Sequence, residues 1–354
     1  MTDHVPDLTR RTCPVPRTDT ATIQLAHGGG GRLMHQLIER VLLPEFAGGR
    51  TPGPAHDSAI LEWEGQRLAF TTDSFVVSPL FFPGGDIGKL AVYGTVNDLA
   101  MAGAIPRWLS CALVLEEGLP MDTLRQVVAS MQQAATEVGV SIVTGDTKVV
   151  DRGKGDGIFI NTAGVGTVPP GIEVSPARVR AGDRIVVSGD LGRHGIAIMS
   201  VREGLDFEGA LASDCAGLAD LVGALRALGG DLHCLRDLTR GGLAAALIEI
   251  AEQAGAAIAL DESSIPIEPQ VAGACELMGL DPLYVANEGR LVAFVAPQAK
   301  EAALAILHAH PGAPAPACLG SVTDGPAGVV ELRNPWGSGR LLDMLSGEQM
   351  PRIC

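Results

Sequence analysis

Apolar and polar residues along this chain follow two periodicities that alternate from one segment to the next. Leu33, Leu37 and Val41 are spaced as on one face of a helix. Patterns of this kind predict helices at 32–43, 87–100, 121–138, 194–201, 241–254 and 298–309. Short aliphatic and β-branched runs predict strands at 58–63, 67–72, 108–115, 141–144, 159–167, 183–188, 258–260, 290–295 and 319–322, with a short element at 282–285. Because strands and helices interleave, we expect an α+β fold, with α/β as the alternative class.

The length of the chain, 354 residues, exceeds what one hydrophobic core usually serves and predicts two domains. A break at Pro169-Pro170-Gly171 separates a domain at 23–168 from one at 169–333. Residues 1–22 contain prolines and charges without periodicity, so we expect a mobile extension there. Residues 334–354 are expected to form a flexible tail that ends in a cysteine.

Composition narrows the classes of function. Hydrophobic residues make up 46% of the chain and charged residues 19%, which is typical of a packed globular protein, and the formal net charge is −15. Such an acidic chain is not expected to bind nucleic acid or an anionic membrane surface. The sequence has neither a secretory leader pattern nor a long apolar span, and its seven cysteines lack zinc-type spacing. We therefore expect a cytoplasmic protein with reduced thiols.

Glycines and aspartates supply the first candidate chemistry. The run Gly28, Gly29, Gly30, Gly31 precedes a predicted helix, where free backbone N–H groups can bind phosphate, although a hinge would have the same composition. Aspartates follow predicted strands or lie beside turn residues, at Asp57, Asp73 and Asp146. Each alone fits a helix cap or turn, but together they suit a site for Mg²⁺ and a nucleotide. Asp98 lies inside an apolar predicted helix, where a charge requires a reason.

Four further residues are candidates for the reaction itself. Lys148 follows Asp146 by two residues and could neutralise a transferring phosphoryl group, or be an ordinary surface lysine. Asp237 lies in the cluster Arg236-Asp237-Leu238-Thr239-Arg240-Gly241-Gly242, directly before a predicted helix. Glu288 offers a carboxylate on a turn. The terminal thiol of Cys354 could swing into a distant site, although a chain-terminal cysteine is often accidental.

The sequence contains, in this order, the motifs Asp57-Ser58-Ala59, Thr71-Thr72-Asp73-Ser74, Asn97-Asp98-Leu99-Ala100, Gly145-Asp146-Thr147-Lys148 and Pro351-Arg352-Ile353-Cys354. Together these motifs are similar to those of the HypE family of hydrogenase maturation proteins. That family belongs to the superfamily of aminoimidazole ribonucleotide (AIR) synthetase, selenophosphate synthetase and thiamine-monophosphate kinase. The resemblance covers 23–354. It implies a two-domain fold in which the N-terminal sheets of two subunits form a shared barrel. It also implies metal binding by Asp57, Asp98 and Asp237, and nucleotide binding by the glycine run, Asp73, Asn97 and Asp146.

The resemblance further implies a carbamoyl dehydratase that uses ATP and Mg²⁺. A partner carbamoyltransferase, HypF, would load a carbamoyl group onto Cys354. The homodimer would then dehydrate it to a thiocyanate with Lys148 and Glu288 in catalytic roles, and pass cyanide to a HypC–HypD complex for [NiFe]-hydrogenase. Two other hypotheses remain open from the residues alone. One is a small-molecule kinase or synthetase of the superfamily in which Cys354 is inert, and the other is a non-catalytic carrier that does not bind Mg-ATP.

Overall fold

Two β-sheets with different surroundings organise the chain. The computed structural model describes residues 21–48, 56–205, 211–347, 350 and 352–354. Its strands are β1 (Ala59–Trp63), β2 (Gln66–Phe75), β3 (Phe81–Phe82), β4 (Gly85–Asp86), β5 (Ile105–Glu116), β6 (Ser141–Val150), β7 (Ile158–Val168), β8 (Arg184–Val187), β9 (Leu232–Asp237), β10 (Ala257–Asp261), β11 (Leu291–Val295), β12 (Ala317–Thr323), β13 (Val330–Arg333) and β14 (Gly339–Leu342).

The helices are α1 (Arg32–Leu37), α2 (Leu43–Ala47), α3 (Ile87–Met101), α4 (Met121–Val138), α5 (Arg193–Glu203), α6 (Ala219–Leu225), α7 (Gly242–Ala254), α8 (Pro269–Met278) and α9 (Lys300–Ala309). A π-helical turn at Ile38–Leu42 joins α1 to α2. In the parts of the chain that the structure describes, no helix has both the length and the apolar character needed to cross a membrane.

The first sheet has the strand order β1-β2-β7-β5-β6 and is covered by helices on one face. Only β5 and β6 run parallel, and α4 makes the crossover between them. The other face carries large apolar side chains that are open to solvent, since Phe70 is 42% exposed and Trp108 is 51% exposed. Within the described residues, one side of this sheet therefore has no covering layer.

The second sheet has the order β14-β13-β10-β12-β8-β11-β9 and is covered on both faces. Helix α7 packs on one face, while α6 and α9 pack on the other. This explains why β11, with the sequence Leu-Val-Ala-Phe-Val, is apolar at every position and buried at every position. The sheet thus supplies a rigid frame for residues at the ends of its strands.

Helix α3 lies between the two sheets and joins them. It packs against β2 and β7 of the first sheet and against β9 of the second, which is why almost all of its residues are buried. Asp86 begins the helix by accepting hydrogen bonds from the backbone N–H groups of Gly88 (2.8 Å) and Lys89 (3.1 Å). A residue on α3 is therefore fixed relative to both sheets.

Most predicted elements are present, and the differences have physical causes. The sequence-based prediction missed the short strands β3 and β4 as well as β9, α6, α8, β13 and β14. Strand β9 carries His233, Arg236 and Asp237 among its six residues, so it lacks the apolar run that predicts a buried strand. The predicted extension at 1–22 lies outside the described residues except for 21–22, which are exposed.

The prediction of a flexible tail at 334–354 is wrong for part of that segment. Gly339–Leu342 forms β14, which pairs antiparallel with β13 and buries Leu342. Met350 and Ile353 are also buried, with 7% and 3% of their surface exposed. These apolar side chains pack into the core because the free energy gained by burying them offsets the conformational entropy lost when the segment becomes ordered.

Gly145 permits the close approach of β5 and β6. A Cβ at this position would lie 2.0 Å from the carbonyl oxygen of Cys111, so we expect Gly145→Ala to lower the free energy of unfolding by roughly 1–3 kcal/mol. Gly273→Ala is the matched control: no neighbouring atom lies within 4 Å of the added Cβ in helix α8, and a gain of about 0.5–1 kcal/mol is expected. Urea unfolding of both variants measures the difference, and equal stabilities would contradict this account of β5–β6 packing.

Candidate active site

Three aspartates from separate parts of the chain converge between the sheets. Asp57 lies just before β1, Asp98 lies on α3 and Asp237 ends β9. One carboxylate oxygen from each lies within 4.8 Å of the others. The joining position of α3 explains the charge inside this apolar helix, because Asp98 faces the cluster rather than the core.

The cluster is electrostatically strained in the absence of a cation. Burial raises the pKa of Asp98 well above its ordinary value, and the nearby carboxylates of Asp237 and Asp57 raise it further. Burial, followed by the charge of Asp57, raises the pKa of Asp237 in the same way. Oδ2 of Asp57 and Oδ2 of Asp237 are buried and accept no hydrogen bond from any described residue. Unsatisfied hard oxygen ligands in this arrangement fit a divalent cation such as Mg²⁺.

Two neighbours hold the cluster in place. The guanidinium of Arg236 contacts Asp57 at 2.9 Å and also pairs with Glu249. The hydroxyl of Thr71 donates a hydrogen bond of 2.8 Å to Asp98. Both residues keep carboxylate oxygens oriented toward a common point, so the site is largely preformed. Their roles were not assigned from the sequence, although Arg236 lies in the Arg-Asp-Leu-Thr-Arg-Gly-Gly motif that drew attention to Asp237.

A cavity of about 400 Å³ extends from the aspartates to the end of the chain. Its walls include Asp73, Gly30, Arg240, Glu288 and Cys354 in addition to the three aspartates. Asp73 lies on β2, and burial raises its pKa. The structure thus brings together six of the carboxylate and thiol residues predicted from the sequence, in one space of a size suited to a ligand.

The terminal cysteine is docked inside this cavity. The backbone N–H of Val76 donates to the main-chain oxygen of Cys354 at 3.1 Å, and Glu288 lines the same cavity as Cys354. Burial raises the pKa of the thiol, and although the guanidinium of Arg240 opposes this shift, the charge of Glu288 adds to it. Burial likewise raises the pKa of Glu288, with Asp237 and Asp73 adding to the shift. This position favours the thiol over the nucleophilic thiolate.

Arg240 is a cation that lines the same cavity as this thiol and interacts with it electrostatically, and the sequence-based prediction did not assign it. It also holds the glycine run, because its guanidinium donates to the carbonyl oxygen of Gly28 at 2.8 Å. A Cβ on Gly30 would meet Arg240 at 2.9 Å, and one on Gly31 would meet the carbonyl oxygen of Leu345 at 2.6 Å. The glycines are therefore required for close packing over the docked chain end, in addition to any role at phosphate.

Three predicted site residues lie elsewhere in the protomer. Asp146 and Lys148 form an ion pair of 2.6 Å on the edge strand β6, with side chains 64% and 69% exposed, and they do not line the cavity. Asn97 is 2% exposed, and its amide bonds the carbonyl oxygen of Ala216 and the N–H of Leu218. Because both ends of the Asn97 amide hold backbone groups, it is a structural link and is not included in the proposed nucleotide site.

The chain matches two family models that together cover most of its length. The N-terminal domain model of the AIR synthase related proteins matches residues 55–168, and the C-terminal domain model matches residues 180–333. Among curated proteins, a carbamoyl dehydratase HypE from Rhizobium leguminosarum bv. viciae is 50% identical over 333 residues, which is 94% of this chain and 95% of the relative. The Escherichia coli K12 carbamoyl dehydratase HypE is also 50% identical, over 94% of this chain and 99% of its own.

Solved structures of HypE proteins are also similar to this chain over most of its length. A HypE–HypF complex is similar with a TM-score of 0.82 and 44% identity, covering 87% of this chain and 99% of the other. A HypE structure in complex with ATP is similar with a TM-score of 0.79 and 49% identity, covering 94% and 100%. A thiamine-monophosphate kinase from Aquifex aeolicus, at 17% identity and a TM-score of 0.63, shares the fold alone.

Replacing Asp98 by Asn removes one charge from the buried cluster and keeps an acceptor for Thr71. Because the pKa of Asp98 is raised in the folded state, the stability that protonated Asp98 contributes to the fold is fully present below the ordinary Asp pKa of ~4. It is lost as pH rises through the raised value. The metal-free variant should therefore gain stability over the wild type as pH rises, by about 1–2 kcal/mol at the plateau.

Thermal unfolding with and without Mg-ATP tests this expectation. The wild type should melt at a higher temperature with Mg-ATP, and Asp98→Asn should show little of that shift because a cation ligand is lost. Asp122→Asn, at an exposed ion pair on α4, is the control and should behave as the wild type. An undiminished Mg-ATP shift in Asp98→Asn would remove this residue from the cation site.

Proposed function

The chain belongs to the HypE family of carbamoyl dehydratases, which is built on the two domains of the AIR synthase related proteins, and we propose that it converts an S-carbamoyl group on its own Cys354 into a thiocyanate with consumption of ATP. The observation that carries this proposal is the docked end of the chain. Cys354 lies in the acidic cavity against Glu288 and Arg240. A superfamily enzyme acting on a free small molecule would not need its own last residue there.

The chemistry requires activation of a poor leaving group. A carbamoyl oxygen does not leave as water, so transfer of the γ-phosphoryl group of ATP to that oxygen, with loss of one N–H proton, converts it to a phosphate ester. Loss of the second N–H proton and cleavage of the C–O bond then release phosphate and leave S–C≡N. The net products are thiocyanate, ADP, phosphate and one proton. The chain end supplies the substrate already positioned.

The cavity residues have matching roles. Glu288 is the base candidate for the N–H protons, because it lines the same cavity as the sulfur to which the carbamoyl group is attached. Burial and neighbouring carboxylates raise the pKa of Glu288, whereas the positive charge of Arg240 lowers it and so favours the ionised form that a base needs. Arg240 lies beside the sulfur and can stabilise negative charge on the carbamoyl oxygen. Mg²⁺, held by Asp57, Asp98 and Asp237, would supply neutralisation of the triphosphate charge.

We also propose a homodimer formed through the open face of the first sheet. Phe70 and Trp108 share this face, since both are register partners of Val165, and a sheet that exposes large apolar side chains fits a second copy of itself. Asp146 and Lys148 are register partners of Ala112 and Val114. These positions alternate in step with Trp108, so they lie on the same face. Pairing the sheets as a barrel would direct Lys148 and Asp146 toward the partner subunit and its bound nucleotide.

The remaining partners follow from the chemistry and the relatives. A HypE relative forms a complex with HypF, so we propose a HypF carbamoyltransferase as the enzyme that loads Cys354. A HypC–HypD complex is the proposed cyanide acceptor. The cysteines in the described part of the chain are free thiols, which supports a reducing, cytoplasmic location. An acidic surface charge supports the expectation that nucleic acid is not a partner.

Intact-protein mass spectrometry tests the reaction. Incubation with active HypF, carbamoyl phosphate and Mg-ATP should add one carbamoyl group to the wild type, and this adduct should then lose the mass of one water only when ATP is usable. Cys354→Ala should form neither species while still binding ATP, and Cys318→Ala, at a partly buried cysteine on β12, should behave as the wild type. Thiocyanate formation in the Cys354→Ala variant would place the reaction on another residue.

Replacement of Lys148 tests both its catalytic role and the dimer. Lys148→Ala should slow single-turnover dehydration by roughly 10²–10³-fold, with a smaller effect on ATP affinity, because it removes a cation from the transition state. A mixed dimer of Lys148→Ala and Cys354→Ala subunits should regain activity, since one subunit then offers its lysine to the other subunit's cysteine. A verified mixed dimer without activity would show that Lys148 does not act across the interface.

A further inference from the structure

The last residues of the chain occupy a groove between the two domains. This C-terminal segment, residues 350 and 352–354, pairs with the segment that follows β2: the N–H of Val76 donates to Cys354 and the N–H of Ser78 donates to the carbonyl oxygen of Arg352 at 3.3 Å. The side chain of Ile353 lies in an apolar cluster to which both domains contribute residues. Apolar burial holds the segment, but it does not by itself fix where the sulfur points.

Helix α5 supplies a directional contact at the residue next to the sulfur. The imidazole of His194 is fully buried, and its Nε2 lies 2.7 Å from the carbonyl oxygen of Ile353. Its Nδ1 lies 2.8 Å from Oγ of Ser213, and the ring packs edge-on against Phe82 with centroids 5.5 Å apart. The imidazole is therefore held on two sides and cannot rotate away without losing these contacts.

The hydrogen bond to the Ile353 carbonyl oxygen fixes the tautomer of neutral His194, because that oxygen can only accept. The backbone N–H of Cys215 donates to Oγ of Ser213 at 3.0 Å, which leaves the Ser213 hydroxyl proton free to donate to Nδ1 of His194. Nε2 then carries the ring proton and donates it to the Ile353 carbonyl. Burial lowers the pKa of His194, so the neutral ring is the relevant form. The relay from Cys215 through Ser213 thus presents one donor to the chain end.

We propose that His194 is the positioning residue that docks the C-terminal segment and sets the sulfur of Cys354 against Glu288. This inference rests on the proposed function, because docking matters only if Cys354 carries the reacting group. The docked sulfur lies in the cavity that Glu288 and Arg240 also line, at a residue that is only partly exposed, which suits dehydration and not loading by a second enzyme. His194 therefore sets the balance between the docked form, which reacts, and the undocked form, which a carbamoyltransferase can reach.

Two amide variants separate this role from general support of the fold. The amide nitrogen of Gln in His194→Gln can occupy the place of Nε2 and still donate to Ile353, whereas the shorter Asn in His194→Asn reaches only the Ser213 side. His233 offers a control, since it is equally buried and hydrogen-bonded to Asp183 at 2.7 Å on β9. His233→Asn keeps that hydrogen bond and changes a buried histidine away from the C-terminal segment.

The first readout is the alkylation rate of Cys354 by iodoacetamide, resolved by the mass of the C-terminal peptide. His194→Asn should react about tenfold faster than the wild type, as expected for loss of one buried hydrogen bond, while His194→Gln and His233→Asn should stay within about twofold. Wild-type rates in His194→Asn, or equal acceleration in His194→Gln, would overturn the proposal. In a chain truncated after residue 349, the two His194 variants should melt at the same temperature, and a persisting difference would assign His194 to the core instead.

The second readout uses protein that has been carbamoylated beforehand. Single-turnover dehydration should fall about tenfold in His194→Asn, because a sulfur that His194 no longer holds is misplaced relative to Glu288, with the KM for ATP unchanged and with recovery in His194→Gln. If the wild type forms no thiocyanate, the proposed function fails, but the alkylation rates still decide whether His194 docks the chain end, because they need neither ATP nor a carbamoyl group. An unaltered dehydration rate in His194→Asn would also overturn the proposal.

Discussion

Burial of several carboxylates in one cavity is the constraint on which this structure depends. Asp57, Asp98 and Asp237 approach within 4.8 Å at one oxygen each, and their mutual repulsion opposes folding unless cations are present. Arg236 and Arg240 provide part of the compensation from within the chain. A bound cation would neutralise the remaining negative charge. The clustered carboxylates that lower the stability of the metal-free protein therefore also give it affinity for a metal–nucleotide complex.

The two sheets make that arrangement possible through their different coverage. The second sheet is packed on both faces and gives Asp237 a rigid position at the end of β9. Helix α3 packs on one face of the first sheet and also contacts the second sheet, so Asp98 on this helix is fixed relative to both sheets. The free face of the first sheet, with Phe70 and Trp108, is available for a second copy of the chain. A single frame thus fixes the acidic site and, under the proposed dimer, leaves Lys148 to complete the neighbouring one.

The chain end connects this frame to a reaction cycle. A substrate attached to Cys354 must be accessible for loading and enclosed for dehydration, and these needs conflict. The structure shows the docked state, in which Val76 and His194 hydrogen-bond the last two residues and Glu288 lines the same cavity as Cys354. A few directional hydrogen bonds on a short apolar segment give a docked state that is defined in geometry and still reversible, because each such bond contributes only about 1 kcal/mol net.

The sequence by itself determined the class of fold, most of the elements, and the composition of the acidic site. Hydrophobic periodicity locates α4 at its full extent and β2, β5, β7 and β11 within a few residues, because these elements bury one or both faces in a regular way. The acidic motifs identify Asp57, Asp73, Asp98, Asp237 and Glu288, because charges beside turns or inside an apolar helix have few structural uses. Local pattern could not identify β9 or β14, whose burial comes from neighbouring strands distant in sequence. Only the tertiary structure decided which polar residues meet: it places Asn97 in a backbone link, Lys148 and Asp146 on an open edge, and Arg240 and His194 against the chain end. Contacts across 159 residues of sequence, as between His194 and Ile353, or across 212, as between Arg240 and Gly28, depend on how the sheets pack, and no local periodicity records that.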